Sequence, residues 1–193
     1  MNIPNQLTVV RIVLTLFFIY FISRSGLTAM LTATIIFTVA SLTDWGDGYI
    51  AKKYNMISDF GKLMDPIADK FLILAAFVAF IRMHLVEDWM VVLILGREIM
   101  ITGLRLFALS KGKVLSAERA GKHKTVSQIV AIFTILTFLV IREYLKITTQ
   151  HWSANIELWW EFFIYILMLI TVALTLISGL SYLWSNRKLI YVQ

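Results

Sequence analysis

The run from Phe162 to Asn186, FFIYILMLITVALTLISGLSYLWSN, contains no charged residue. A helix of about 20 mostly apolar residues crosses the hydrocarbon core of a bilayer, so this run is long enough to do so. Two further gaps between charges are nearly as clean, Ser25 to Thr43 and Thr125 to Ile141. Three apolar stretches are shortened or interrupted by charge: Ile12 to Ser23 between Arg11 and Arg24, Phe71 to Ile81 after Lys70, and Trp89 to Leu109, which holds Arg97, Glu98 and Arg105. Together they predict an all-α integral membrane protein of six transmembrane helices. The three charge-interrupted stretches must turn their polar residues toward protein or water.

Composition points the same way. Of the 193 residues, 59% are hydrophobic and 16% charged, with a mean hydropathy of +0.79. Soluble domains run near 45–50% apolar and about 25% charged, so a soluble single domain and a disordered chain are both excluded. No repeat, low-complexity segment or composition shift divides the chain, and residues 1–193 are expected to form one membrane domain. The absence of cysteine excludes a disulfide framework, a thiolate nucleophile and a zinc–sulfur site. Met1 to Arg11 lacks the basic cluster and small-residue cleavage site of a secretory leader, and is expected to stay on the mature protein. Asn5 reads as the N-cap of the first helix, with Pro4 fixing the approach.

The formal charge is +6. Six spans place both termini on one side. Of the 18 lysines and arginines, all but Arg24, Arg82, Arg142 and Lys146 fall on or nearest that side, which predicts both termini in the cytoplasm. The basic residues therefore follow membrane topology, and no nucleic-acid partner is expected. Trp45, Trp89, Trp152, Trp159, Trp160 and Trp184 fall near predicted helix ends, as an aromatic belt would.

The acidic residues are distributed unevenly. Asp44, Asp47, Asp65 and Asp69 lie within 26 positions on the second and third hydrophobic helices. Asp44 and Asp47 are three apart and share one helix face; Asp65 and Asp69 are four apart and share another. A short turn around Asn55 to Ser58 makes the two helices antiparallel neighbours, so their carboxylate-bearing ends meet at the cytoplasmic face. Four converging carboxylates repel one another and resist desolvation. A hard divalent cation resolves that conflict, and oxygen-only donors suit Mg²⁺ or Mn²⁺. Pairing with Lys52, Lys53, Lys62 and Lys70 is the plainer alternative, but it leaves Gly48, Ala51 and Gly61 unexplained. Small residues among the acids let a bulky group approach the helix backbone.

These residues match the pattern Asp-x2-Asp-Gly-x2-Ala-Arg-x8-Gly-x3-Asp-x3-Asp at Asp44, Asp47, Gly48, Ala51, Gly61, Asp65 and Asp69, with the spacing intact. In this the chain resembles the CDP-alcohol phosphotransferases, membrane enzymes of phospholipid synthesis. One position departs, since Lys52 stands where the pattern has Arg; it keeps the charge but loses the planar fork. Asn5-Gln-Leu-Thr8-Val-Val-Arg11, Arg97-Glu98, Gly103-Leu-Arg105 and Gly121-Lys122-His123-Lys124-Thr125 are similar to the branch of that family whose acceptor is glycerol 3-phosphate. The likeness then spans most of the chain.

The resemblance implies transfer of the phosphatidyl group of CDP-diacylglycerol to glycerol 3-phosphate, with release of CMP. It implies two metal ions held by Asp44, Asp47, Asp65 and Asp69, with Asp69 also the catalytic base that takes the acceptor's proton. It assigns contacts with CDP-diacylglycerol to Asn5, Thr8, Arg11, Gly48, Ala51, Lys52 and Gly61. It also implies a homodimer in a bacterial cell membrane, with the active site facing the cytoplasm. Pro66 removes a backbone donor inside the third helix, so a local kink beside the carboxylates is expected.

The acceptor's phosphate dianion calls for cations beyond those the aspartates use. Arg97 and Arg105 lie near one stripe of the fourth helix, through Ile101. The loop from Lys111 to Lys124 adds further basic residues, of which Lys113 and Lys122 are the expected phosphate contacts. Other acceptors, such as inositol phosphate, serine or another alcohol, remain open. A small cation transporter is the alternative from another class, but its acids should lie near the bilayer midplane, often in repeated halves.

Overall fold

The computed structural model describes residues 3–54, 59–110, 120–148 and 154–191, with side chains over 8–43, 70–108, 124–148 and 155–187. Six α-helices make up the described residues: α1 (Ile3–Ile22), α2 (Leu27–Tyr54), α3 (Asp59–Arg82), α4 (Asp88–Ser110), α5 (Ala120–Thr148) and α6 (Ala154–Tyr191). Each apolar stretch expected to form a helix does so. Two of these helices are long and apolar enough to cross a membrane by length and composition, over Lys124–Thr148 and Asn155–Arg187. Thr8–Ile22 and Leu27–Thr43 are shorter apolar segments. At 38 residues, α6 is about 57 Å long, well beyond the roughly 30 Å hydrocarbon thickness.

Several boundaries differ from the sequence reading. Helix α1 begins at Ile3, so Asn5 lies inside the first turn and is not its N-cap. Pro4 explains the shift: its fixed φ suits a first turn, where its missing N–H has no helical partner to lose. Helix α3 continues through Pro66, as the sequence reading has it, and Pro66 cannot donate to the Lys62 carbonyl. Helix α5 begins at Ala120, so Lys122, His123 and Lys124 stand on a helix and not in a loop. The turn expected at Asn55 to Ser58 lies outside the described residues.

The two described connections are tight. Gly26, with φ of 106°, closes the α1–α2 turn in a region that side chains avoid. After α3, His84 takes a left-handed φ of 56°. Its N–H donates to the Ile81 carbonyl (2.9 Å), and the Leu85 N–H donates to that of Phe80 (3.1 Å). This is a Schellman cap, with Leu85 and Phe80 both buried.

Side-chain contacts set the helix directions. The five-residue connection from α3 to α4 turns the chain back on itself, and Lys70 in the middle of α3 meets Thr102 in the second half of α4, so that pair is antiparallel. Phe138 of α5 lies 5.5 Å from Trp160 of α6, and Arg142 is 3.8 Å from Glu157, so α5 and α6 are antiparallel too. Arg97 of α4 meets Ser178 of α6, and Arg105, two turns later, meets Tyr182, one turn later; α4 and α6 therefore run parallel. The starts of α3 and α5 and the ends of α4 and α6 thus gather at one end of the bundle. Helix α1 packs on α2 and α3, and α2 on α5.

The core is apolar and aromatic. Phe37 of α2 stands 5.6 Å from Phe18 of α1 and 5.4 Å, edge to face, from Phe133 of α5. Such pairs add about 0.5–1.5 kcal/mol each beyond the area they bury. Four threonine hydroxyls inside the helices are satisfied locally: Thr15, Thr34, Thr38 and Thr171 donate to carbonyls four residues back at 2.7–2.9 Å. Outside, the helices present large apolar side chains, among them Val92, Phe107, Phe162, Ile177, Leu180 and Trp184. A surface of this kind suits hydrocarbon better than water.

Candidate active site at one end of the bundle

Helix α2 carries Asp44 and Asp47 in its second half, and α3 carries Asp65 and Asp69 in its first half. The two helices touch, and only four residues separate Tyr54 from Asp59. Such a connection reaches no more than about 18 Å, so the acidic turns of both helices are held at one end. The side chains of all four aspartates lie outside the described residues. Their chemistry alone fits a hard cation: four carboxylates, with no nitrogen or sulfur donor between them. Among the described residues, no group of three His, Cys, Asp or Glu side chains could hold a metal.

Beside this end, the described residues form a buried polar cluster. Glu98 of α4 accepts from Arg97 Nη1 at 3.0 Å and, through the same Oε1, from Lys124 Nζ of α5. Arg97 Nη2 donates to Ser178 Oγ of α6 at 3.0 Å. Lys70 Nζ, on the residue following Asp69, donates to Thr102 Oγ1. Lys70 and Arg97 both lie close enough to Lys124 to repel it. Cations from three helices, Lys70 of α3, Arg97 of α4 and Lys124 of α5, thus gather beside Glu98.

Helix α6 shapes this cluster in a way its own sequence does not announce. Arg97 lies across Gly179, where an added Cβ would come 2.9 Å from Arg97 Cγ. One turn on, Ile101 packs against Tyr182, and the Arg105 guanidinium sits 5.8 Å from the Tyr182 ring centre. The stripe through Arg97, Ile101 and Arg105 therefore faces α6 as one unit. Arg105 itself is exposed, whereas the Arg97 side chain is only 9% exposed. On α1, which packs on the aspartate-bearing helices α2 and α3, Thr8 and Arg11 are each 1% exposed.

The remaining expected residues are placed less fully. Asn5, Gly48, Ala51, Lys52, Gly61 and Lys122 stand on α1, α2, α3 and α5, and their surroundings lie outside the described residues, as does Lys113 altogether. Four members of the cluster were not singled out for a site by the sequence reading: Lys124, Lys70, Thr102 and Ser178. Lys124 carried a usable signal. It begins the stripe Lys124, Gln128, Ala131, Ile135, whose three- and four-residue spacing marks the buried face of α5.

Comparison with known proteins is consistent along the whole chain. Residues 1–184 match the family described as CDP-alcohol phosphatidyltransferase. A CDP-diacylglycerol–glycerol-3-phosphate 3-phosphatidyltransferase of Bacillus subtilis (strain 168) is 34% identical over 197 residues, covering 96% of this chain and 95% of the relative. Proteins of the same name from Rickettsia felis and Salmonella typhimurium are 35% and 33% identical, covering 97% and 96% of this chain and 96% and 95% of their own lengths.

Proposed function

The chain belongs to the CDP-alcohol phosphatidyltransferase family, and from that premise we propose that it transfers the phosphatidyl group of CDP-diacylglycerol to glycerol 3-phosphate. The products are phosphatidylglycerophosphate and CMP. The relatives similar over nearly its full length bear the name of this reaction. The observation that carries the acceptor assignment is the grouping of Lys70, Arg97 and Lys124, from three helices, beside Glu98 and near the aspartate-bearing end of the bundle. Cationic donors of this kind make charge-assisted hydrogen bonds that suit the dianion of a phosphate monoester.

In this reading the primary hydroxyl of glycerol 3-phosphate attacks the phosphorus that bears diacylglycerol. A P–O bond forms to the acceptor as the bond to the CMP oxygen breaks, and Asp69 takes the hydroxyl proton. Asp44, Asp47, Asp65 and Asp69 hold Mg²⁺ or Mn²⁺, two ions by the resemblance, and bound there the metal supplies neutralisation of the diphosphate and of the departing CMP. Asn5, Thr8, Arg11, Gly48, Ala51, Lys52 and Gly61 face the donor. Arg97 and Arg105, with Lys113 and Lys122, attract the acceptor phosphate, to which we add Lys124 and Lys70.

The same proposal includes six membrane spans, both termini in the cytoplasm, an active site on that side, and a homodimer. The apolar outer faces of the helices and the one-sided distribution of lysine and arginine support the membrane placement.

The test is release of CMP from CDP-diacylglycerol by purified protein in Mg²⁺, with glycerol 3-phosphate, inositol phosphate, serine and glycerol supplied in turn. Glycerol 3-phosphate should be by far the best acceptor. Equal or faster release with another alcohol overturns the acceptor assignment, and release with none overturns the reaction.

A further inference from the structure

Among the buried side-chain atoms without a hydrogen-bond partner are Arg97 Nε in the cluster itself, the Tyr182 hydroxyl beside it and, one turn away, Gln128 Nε2 on α5 and Thr175 Oγ1 on α6. Gln128 and Thr175 are 2% and 0% exposed. Gln128 lies one turn along α5 from Lys124, and Thr175 lies just under one turn before Ser178 on α6. Lys124 and Ser178 are the residues that meet Glu98 and Arg97. Because α6 runs parallel to α4 and α5 antiparallel to it, both steps lead the same way along α4, from Arg97 and Glu98 toward Ile94. Gln128 and Thr175 therefore stand at one level, one turn deeper in the bundle than the cations.

Leaving a buried donor unmade costs about 1–3 kcal/mol, and leucine or valine at these positions would avoid that cost. Two helices each contribute such a group at the same depth. Their chemistry is complementary to a hydroxyl, since an amide N–H donates to its oxygen while the threonine oxygen accepts its proton.

We propose that Gln128 and Thr175 form the polar floor of the acceptor pocket and bind the secondary hydroxyl of a phosphorylated polyol whose phosphate is held by the cations above. The inference rests on the acceptor reading given above and deepens it. The cations attract any phosphate monoester, whereas the floor separates a polyol phosphate from a simple hydroxyalkyl phosphate. Sites built to bond a substrate hydroxyl discriminate strongly against analogues that lack it.

The experiment compares glycerol 3-phosphate with 3-hydroxypropyl phosphate, which keeps the phosphate and the primary hydroxyl but lacks the secondary one. CMP release is measured for the parent protein, Gln128→Met and Thr175→Val. The parent should prefer glycerol 3-phosphate at least tenfold in kcat/KM. Each variant should lose about tenfold with glycerol 3-phosphate and stay within twofold of the parent with the analogue. Activity on the analogue also reports that the variant is folded, and the isosteric Thr175→Val answers the question if Gln128→Met does not accumulate. Equal losses on both acceptors would mean that the two residues serve packing or a buried water, and the proposal fails. Unchanged activity on both overturns it as well. A parent that releases CMP no faster with either phosphate ester than without refutes the acceptor reading itself, a result distinct from either failure of the floor.

Discussion

Gly179 is the point at which α6 makes room for Arg97, and adding one methyl group there tests the arrangement. In Gly179→Ala the new Cβ would lie 2.9 Å from Arg97 Cγ, 3.2 Å from Nε and 3.7 Å from Cδ. Carbon atoms settle at about 3.5–4.0 Å, so Cγ must retreat by roughly 0.6–1 Å. It is not the loose end of a flexible chain, because the guanidinium beyond it is tied to Glu98 and to Ser178, each at 3.0 Å. A retreat of that size carries the Ser178 bond past hydrogen-bonding range. A bond from a charged group contributes about 1.5–3 kcal/mol, which corresponds to roughly a 10- to 150-fold change in an equilibrium. If Arg97 helps hold the acceptor phosphate, kcat/KM for glycerol 3-phosphate should fall by about tenfold or more, while KM for CDP-diacylglycerol moves less than twofold. Alanine's better helix propensity returns about 1 kcal/mol, so the melting temperature in detergent should fall less than the kinetics suggest. Ser178→Ala, which removes the bond without pushing Arg97, should give a smaller loss with the same selectivity for the acceptor. The reasoning is refuted if Gly179→Ala matches the parent in acceptor kinetics and melting, or if the loss appears in the donor KM instead.

Three further outcomes are expected. Asp44→Asn, Asp47→Asn and Asp65→Asn should each raise the Mg²⁺ concentration needed for half-maximal CMP release, whereas Asp69→Asn should abolish turnover yet still bind CDP-diacylglycerol in Mg²⁺; loss of binding in Asp69→Asn as severe as in Asp44→Asn removes its role as base. Arg105→Ala should weaken the acceptor by only threefold to tenfold, because this arginine is exposed and leans on Tyr182 with a cation–π contact of about 0.5–1 kcal/mol; Arg105→Lys should recover part of that, and a rise confined to the donor KM would move Arg105 to the diphosphate site. Tags at both chain ends should be reached only from the cytoplasmic face of oriented vesicles, and labelling of either from outside contradicts the topology.

Much of the fold was legible because a bilayer imposes a coarse and strict rule. Uncharged runs such as Phe162 to Asn186 can hardly be other than helices, and all six stretches marked by the gaps between charges are helical. Helix ends were less legible, since they depend on local backbone preferences that charge gaps do not report. Pro4 allowed α1 to begin at Ile3, and the apolar face of α5 drew Lys122 to Lys124 into the helix. The aspartates were legible as a set because i, i+3 and i, i+4 spacing fixes a helix face without any knowledge of the neighbours.

Sequence alone was therefore enough for the six helices, the acidic turns of α2 and α3 and the arginine stripe of α4, all of which follow from spacing within one helix. It could not say which helix that stripe would meet. Arg97 and Ser178 are 81 residues apart, and Lys70 and Thr102 are 32 apart. An apolar face packs acceptably on several others, so the choice among partners is made only when all six helices share one bundle. That choice turned Gly179 from an unremarked residue into the space Arg97 occupies, and placed Lys124 on Glu98. It also set Gln128 and Thr175 at one depth, because parallel and antiparallel neighbours bring residues from distant parts of the chain to the same level.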